Sequence, residues 1–190
     1  GLAFMIVGFL DDFIKIKLKH NQGLKAYQKI IFQTSIAIVS GVFSYLNGIT
    51  FFNLPFTNTS VNLGVWTIPI VALIFIAITN SVNLTDGLDG LAGNTSFVYL
   101  IFIAILISLQ SKAFTSGNVL LEEFYGLELI SITLACSILG FLVFNTNKAK
   151  VFMGDTGSLS LGGFVGAISI FSFNSFFIPF AIAGGTFPCP

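Results

Sequence analysis

The sequence predicts an all-α polytopic transmembrane helical bundle, and three observations carry that prediction. Mean hydropathy is +0.95; charged residues make up only 8% of 190 positions; and the apolar runs are each near the ~20 residues that a helix needs to cross a bilayer. At 55% hydrophobic, the chain has too little polar surface to coat a water-soluble globule of its size.

Runs near 30–47, 66–83, 93–110, 127–145 and 159–183 read as about five full spans, and 1–10 as part of another. Glycines and Asn174 interrupt the last run, so a tilt, a kink or a re-entrant piece is expected there. Residues 1–190 are read as a single integral membrane domain. Truncation at both ends is expected, because the start is an apolar stub with no basic leader and Gly184 to Pro190 follow an apolar run without a polar tail.

Several function classes are excluded by composition. A net charge of zero, with no basic face interleaved with aromatics, gives no support to a nucleic-acid partner. Cys136 and Cys189 have neither metal-ligand spacing nor the count of a disulfide framework. His20 stands beside lysines as a surface residue. There is no phosphate loop of the Walker type and no nucleophile elbow.

The informative feature is where the acid lies. All five aspartates fall in three islands, Asp11-Asp12, Asn83 to Gly90, and Phe152 to Gly157, separated by long apolar runs. A charged side chain in a bilayer costs roughly 2.5 kcal/mol or more, so this placement asks for a reason beyond solubility. Following the crossings puts the islands on one side of the membrane. Lys15, Lys17, Lys19, Lys25, Lys29, Lys148 and Lys150 share that side, and Lys112 falls opposite, with Glu122, Glu123 and Glu128. By the positive-inside rule the aspartate side is cytoplasmic.

Each island has its own chemistry. Asp11 and Asp12 are adjacent carboxylates that repel unless a cation or proton intervenes, and Mg²⁺ suits oxygen ligands shared with substrate phosphates. Taken alone they also read as a solvated acidic cap paired with Lys15. In the second island Asn80, Asn83, Asp86 and Asp89 recur every third position, with Gly87, Gly90 and Gly93 thinning the surface, so the polar groups fall on one arc of any helix. Such groups bind a sugar, a base or a metal's water shell, or act as interhelical glue. The third island sets Asp155 in a Gly-Asp-Thr-Gly-Ser turn that opens a helix, where backbone N–H groups can face a phosphate; alternatively Asp155 or Ser158 is an ordinary N-cap.

Together DDFIK at 11 to 15, NLTDGLDGLAGN at 83 to 94 and VFMGDTGSLSLGG at 151 to 163 resemble the polyprenyl-phosphate N-acetylhexosamine-1-phosphate transferases. Lys19, Asn21, Gly23, Leu24 and Lys29 after the paired aspartates, and the SLSLGG ending, are similar to the phospho-N-acetylmuramoyl-pentapeptide transferase branch, through essentially the whole chain to about Gly185. The resemblance implies a bundle of ten spans in the bacterial cell membrane, with a cytoplasmic active site, of which this chain supplies the middle. The implied reaction moves phospho-N-acetylmuramoyl-pentapeptide from UDP-MurNAc-pentapeptide to undecaprenyl phosphate, releasing UMP and starting peptidoglycan synthesis, with Mg²⁺ required. It also admits a homodimer.

Carried over by motif, Asp155 is the principal Mg²⁺ ligand, and Asp11 and Asp12 are the catalytic carboxylates and further ligands. Asn83, Asp86 and Asp89 form the wall that holds nucleotide and diphosphate, with Asn145 and Lys29 as lesser substrate-binding candidates. Lys15, Lys148 and Lys150 assist or anchor to lipid headgroups. Direct attack by the lipid phosphate and a covalent phosphosugar intermediate both stay open, direct attack being favoured. The chain departs from the family in lacking a histidine-rich cytoplasmic loop and the first helices with their substrate-binding lysine. The rivals are a sister transferase using UDP-N-acetylglucosamine and, from another class, an ion-coupled transporter, which predicts intramembrane charge near the midplane.

Overall fold

The computed structural model describes residues 1–18, 23–53, 60–113, 118–146 and 148–172. The elements in order are α1 (Leu2–Leu18), α2 (Ala26–Leu46), β1 (Phe51–Asn53), β2 (Ser60–Asn62), a 3₁₀ turn at Gly64–Trp66, α3 (Thr67–Thr85), α4 (Leu91–Ala113), α5 (Asn118–Asn145) and α6 (Gly154–Phe171). The chain is an all-α polytopic membrane protein. Among the described residues four helical stretches are long and apolar enough to cross a bilayer: Ala26–Leu46, Gly64–Thr85, Leu91–Ser111 and Phe124–Asn145. Their outward faces carry large apolar side chains such as Leu73, Val98 and Leu129, which water would not tolerate in such number but lipid accepts.

The chain divides into two compact units, Gly1–Asp86 with Met153–Pro190, and Gly87–Phe152. In the first unit α1 packs on α6, α6 on α3, and α3 on α2. Buried Phe4, Val7, Gly8 and Asp11 recur along α1 at helical spacing, so the packed stripe that begins with phenylalanine ends on a carboxylate. Phe4 also stacks on Phe75 of α3, ring centroids 5.8 Å apart. Small residues set the closeness of these helices. A Cβ at Gly162 would lie 2.6 Å from the Thr79 Cα, and one at Gly8 would overlap the Asp155 carbonyl.

α1 continues past the apolar stub through Asp11, Asp12 and Lys15 to Leu18, so the first acidic island lies within a helix. Between α2 and α3 lies a short antiparallel hairpin, Phe51 opposite Asn62 and Phe52 opposite Val61, as β-favouring residues at these positions permit. The second unit is a helical hairpin. The start of α4 meets the end of α5, where Gly93 lies against Leu142 and Ile138, and Leu100, Ile103 and Ile107 are buried. Asn174, the remainder of the last expected span to 183, the terminal Gly184 to Pro190 including Cys189, and Lys19 and His20 lie outside the described residues.

Candidate active site

The geometry of the first unit gathers the first and third acidic islands. Asp11 and Asp12 come from α1 and Asp155 from the first turn of α6, and an oxygen from each lies within 4.8 Å of the others. The cause is the helix crossing just below them. With no side chain at Gly8, α1 approaches the α6 backbone at Asp155 and Thr156, and Asp11 and Asp12 follow one turn later.

The two neighbouring aspartates are held differently. Asp11 is buried, its side chain 1% exposed, which an unpaired carboxylate would not tolerate. The Leu24 N–H donates to its Oδ1 at 2.7 Å, while the Nζ atoms of Lys15 and Lys29 stand 2.6 Å and 3.3 Å from Oδ2. Both oxygens are thus engaged, and the solvated acidic cap is not what forms. Asp12 is more open, at 28%, and both the N–H (2.8 Å) and the hydroxyl (2.6 Å) of Thr156 donate to its Oδ2. Its Oδ1 has a more distant partner, the Lys15 Nζ at 3.6 Å.

Asp155 is the hub. Lys15 donates to its Oδ2 at 2.5 Å and Lys29 at 3.0 Å, while Asn83 Nδ2 donates to its Oδ1 at 2.5 Å and to the Ser158 hydroxyl at 2.8 Å. Burial works to raise the Asp155 pKa, but the hydrogen bonds from Lys15, Asn83 and Lys29 outweigh it and hold the carboxyl well below the usual range. Burial likewise disfavours the Lys15 ammonium, and its bonds to Asp11 and Asp155 more than reverse this, holding it above the ordinary lysine value. Neither Asp155 nor Ser158 is an N-cap: α6 starts at Met153 without a side-chain cap, and the Ser158 hydroxyl donates to the Gly154 carbonyl. One N–H of that helix start, expected to face a phosphate, belongs instead to Asp12.

The second island does not form one helical arc. α3 ends at Thr85 with Asp86 as its C-cap, so Asn80 and Asn83 share a helix and Asp89 lies beyond it. Asp86 is half-buried; burial, then the charges of Asp155 and Asp12, push its carboxyl up to about 6, against a bond from the Gly154 backbone. Asp89 and Asn145 belong to the second unit. There Asp89 accepts from the Ala149 N–H at 3.0 Å, and Asn145 accepts from the Gly90 N–H at 3.0 Å and donates to the Val151 carbonyl at 2.8 Å, tying down the turn after α5.

A family model described as glycosyl transferase family 4 matches residues 1–173. The chain belongs to that family. A phospho-N-acetylmuramoyl-pentapeptide-transferase of Clostridium botulinum (strain Eklund 17B / Type B) is 42% identical over 186 residues, covering 98% of this chain and 53% of the relative. Relatives with the same description from Clostridioides difficile (strain 630), 44% identical over 97% of this chain and 54% of their own length, and from Bacillus pumilus (strain SAFR-032), 41% identical over 98% and 53%, agree. The chain thus spans about half the length of the curated relatives it matches. With bacterial relatives and four apolar helices, this family member is a bacterial membrane protein.

Thr156, Leu24 and Gly8 position the cluster, yet none of them is a candidate from the sequence alone, where Lys15 has only an assisting part. The proximity of Thr156 to Asp155 in sequence was a signal. The other two carry none in a single sequence, since one acts by its backbone and one by its lack of a side chain.

Proposed function

We propose that this chain carries the metal-binding heart of a phosphotransferase that moves phospho-N-acetylmuramoyl-pentapeptide from UDP-MurNAc-pentapeptide to undecaprenyl phosphate, releasing UMP, as the first membrane step of peptidoglycan synthesis. The observation that carries the reading is the convergence of Asp11, Asp12 and Asp155, remote in sequence, within 4.8 Å of one another beside two lysines. The names of the relatives supply the substrate class. The lysine excess on the aspartate side supports a cytoplasmic active site.

The donor set fits the metal. It is all oxygen, as a hard cation such as Mg²⁺ prefers, with one carboxylate oxygen from each residue within 4.8 Å of the others. Asp155, Asp12 and Asp11 would hold it, and it would neutralise charge on the phosphates. Around it the chain's own residues have distinct work. Asp11, held by Leu24 and two lysines, would set the local charge beside the ion. Asp12, the more exposed of the paired carboxylates, would take the proton of the acceptor phosphate in a direct attack. Asn83 orients Asp155, while Lys15 and Lys29 lower the repulsion between two anions brought into line. Asp86, Asp89 and Asn145 remain candidates for contacts to nucleotide and diphosphate.

The test is UMP release, with Mg²⁺ and undecaprenyl phosphate, from UDP-MurNAc-pentapeptide and separately from UDP-N-acetylglucosamine, using the longest reading frame that contains this chain. Release from the muramoyl donor alone, abolished by Asp155→Ala, is expected. Release from the glucosamine donor alone would assign the sister reaction, and silence with both would discard the enzyme reading.

A further inference from the structure

Lys15 occupies the point on which the three carboxylates converge. Its Nζ lies 2.6 Å from Asp11 Oδ2, 3.6 Å from Asp12 Oδ1 and 2.5 Å from Asp155 Oδ2, so it touches or approaches one oxygen of each. Lys29 meets only two of them, at 3.3 Å and 3.0 Å. A divalent ion held by the same oxygens would sit about 2.1 Å from each, so ion and ammonium claim one position, and like charges cannot share it. Lys15 is 36% exposed, the most open group in the cluster, on a flexible four-carbon stem near the helix end. It therefore has somewhere to go, whereas Asp11 does not.

We propose that Lys15 is an internal counter-cation that the divalent ion displaces, and that the freed ammonium swings outward to receive a phosphate group of the substrate. The idea rests on the metal-dependent reading above and adds a coupling to it. Three carboxylates against Lys15 and Lys29 leave one net negative charge, and a divalent ion in place of Lys15 leaves the carboxylate site neutral with the freed ammonium as one positive charge beside it. The cluster alone thus favours a cation, and the loaded cluster favours an anion. Metal and phosphate binding strengthen one another, with Lys15 trading partners between them. Before the metal arrives, the carboxylates stay compensated and close together; after it, a cation is delivered to the phosphate at the moment it is useful.

The test uses the full chain in lipid nanodiscs with Mg²⁺ or Mn²⁺ and no substrate. Amine labelling read by mass spectrometry, with exposed Lys17 as internal reference, is expected to show Lys15 becoming severalfold more reactive when Mg²⁺ is added. Mn²⁺ affinity, read by the electron paramagnetic resonance of the free ion, is expected to tighten about fivefold in Lys15→Met, the size of a partly exposed ion pair, and to fall in Asp155→Asn. If Lys15 labelling does not rise and Lys15→Met binds Mn²⁺ no more tightly, while Asp155→Asn still weakens binding, the counter-cation role is overturned and the metal site stands. If Asp155→Asn binds Mn²⁺ as well as the parent chain, the metal reading itself fails.

Discussion

Thr156 grips Asp12 twice, its backbone N–H at 2.8 Å and its hydroxyl at 2.6 Å both donating to the same Oδ2. The contact joins the start of α6 to the end of α1 and orients the more exposed of the paired carboxylates. Thr156→Ser keeps both donors and should stay near the parent rate of UMP release. Thr156→Val keeps only the N–H; losing a hydrogen bond to a charged group costs about 1.5–3 kcal/mol, which corresponds to roughly tenfold to a hundredfold in rate if orientation is what it supplies. Equal rates for the two variants would remove Thr156 from the machinery.

How much of this was legible follows the physical origin of each feature. Long apolar helices were legible because apolar length is a local property of the chain, and α2, α3 and α4 fall within a few residues of the expected runs. That Asp11, Asp12 and Asp155 would find partners was legible because a carboxylate beside a bilayer is costly, and the three do cluster. The arc expected from Asn80 to Asp89 failed because helix periodicity extrapolates only while the helix lasts, and α3 stops at Thr85. The grip of Leu24 on Asp11 left no trace, because a backbone N–H is the same group in every residue but proline.

Gly8 gives a sharper test of packing. An added Cβ there would meet the Asp155 carbonyl, backbone that cannot rotate away, so Gly8→Ala must push α1 from α6 and separate Asp11 and Asp12 from Asp155. A destabilisation of about 1–3 kcal/mol is expected, with loss of UMP release. Gly140→Ala is the control: its Cβ meets nothing within 4 Å and α5 gains helix propensity, so its thermal midpoint in detergent should hold or rise. A Gly8→Ala protein as stable and active as the parent would contradict the crossing described here.

Asp86 makes the pH dependence specific. Its carboxyl is pushed up to about 6 by burial and by the charges of Asp155 and Asp12. Because the folded value lies above the unfolded one, the stability this group contributes is present below about pH 4 and is lost as pH rises through about 6. Asp86→Asn cannot ionise, so the parent's thermal midpoint relative to this variant should decline across that window, when both are measured without metal. Parallel curves would rule out the raised value. A divalent ion on Asp12 and Asp155 cancels part of the charge responsible, so adding Mg²⁺ should move the decline to lower pH.

Gln33 on α2 and Asn80 on α3 form a polar pair between two membrane-spanning helices, and its energetics should be lopsided. Gln33 is fully buried, with its Oε1 accepting from Asn80 Nδ2 at 2.8 Å and its Nε2 without a partner among the described residues. Asn80 Nδ2 has a second acceptor, the Ile76 carbonyl, also at 2.8 Å. Gln33→Leu therefore removes an unsatisfied buried group and leaves Asn80 bonded, so the change should be neutral or stabilising by up to about 1 kcal/mol. Asn80→Leu strips the Gln33 oxygen as well, leaving a buried amide with nothing, at a cost of about 1–2 kcal/mol. The double variant should recover most of that loss, a coupling readable from denaturation midpoints in detergent. If the two single variants cost the same, the pair is symmetric glue and the asymmetry inferred from its hydrogen bonds is wrong.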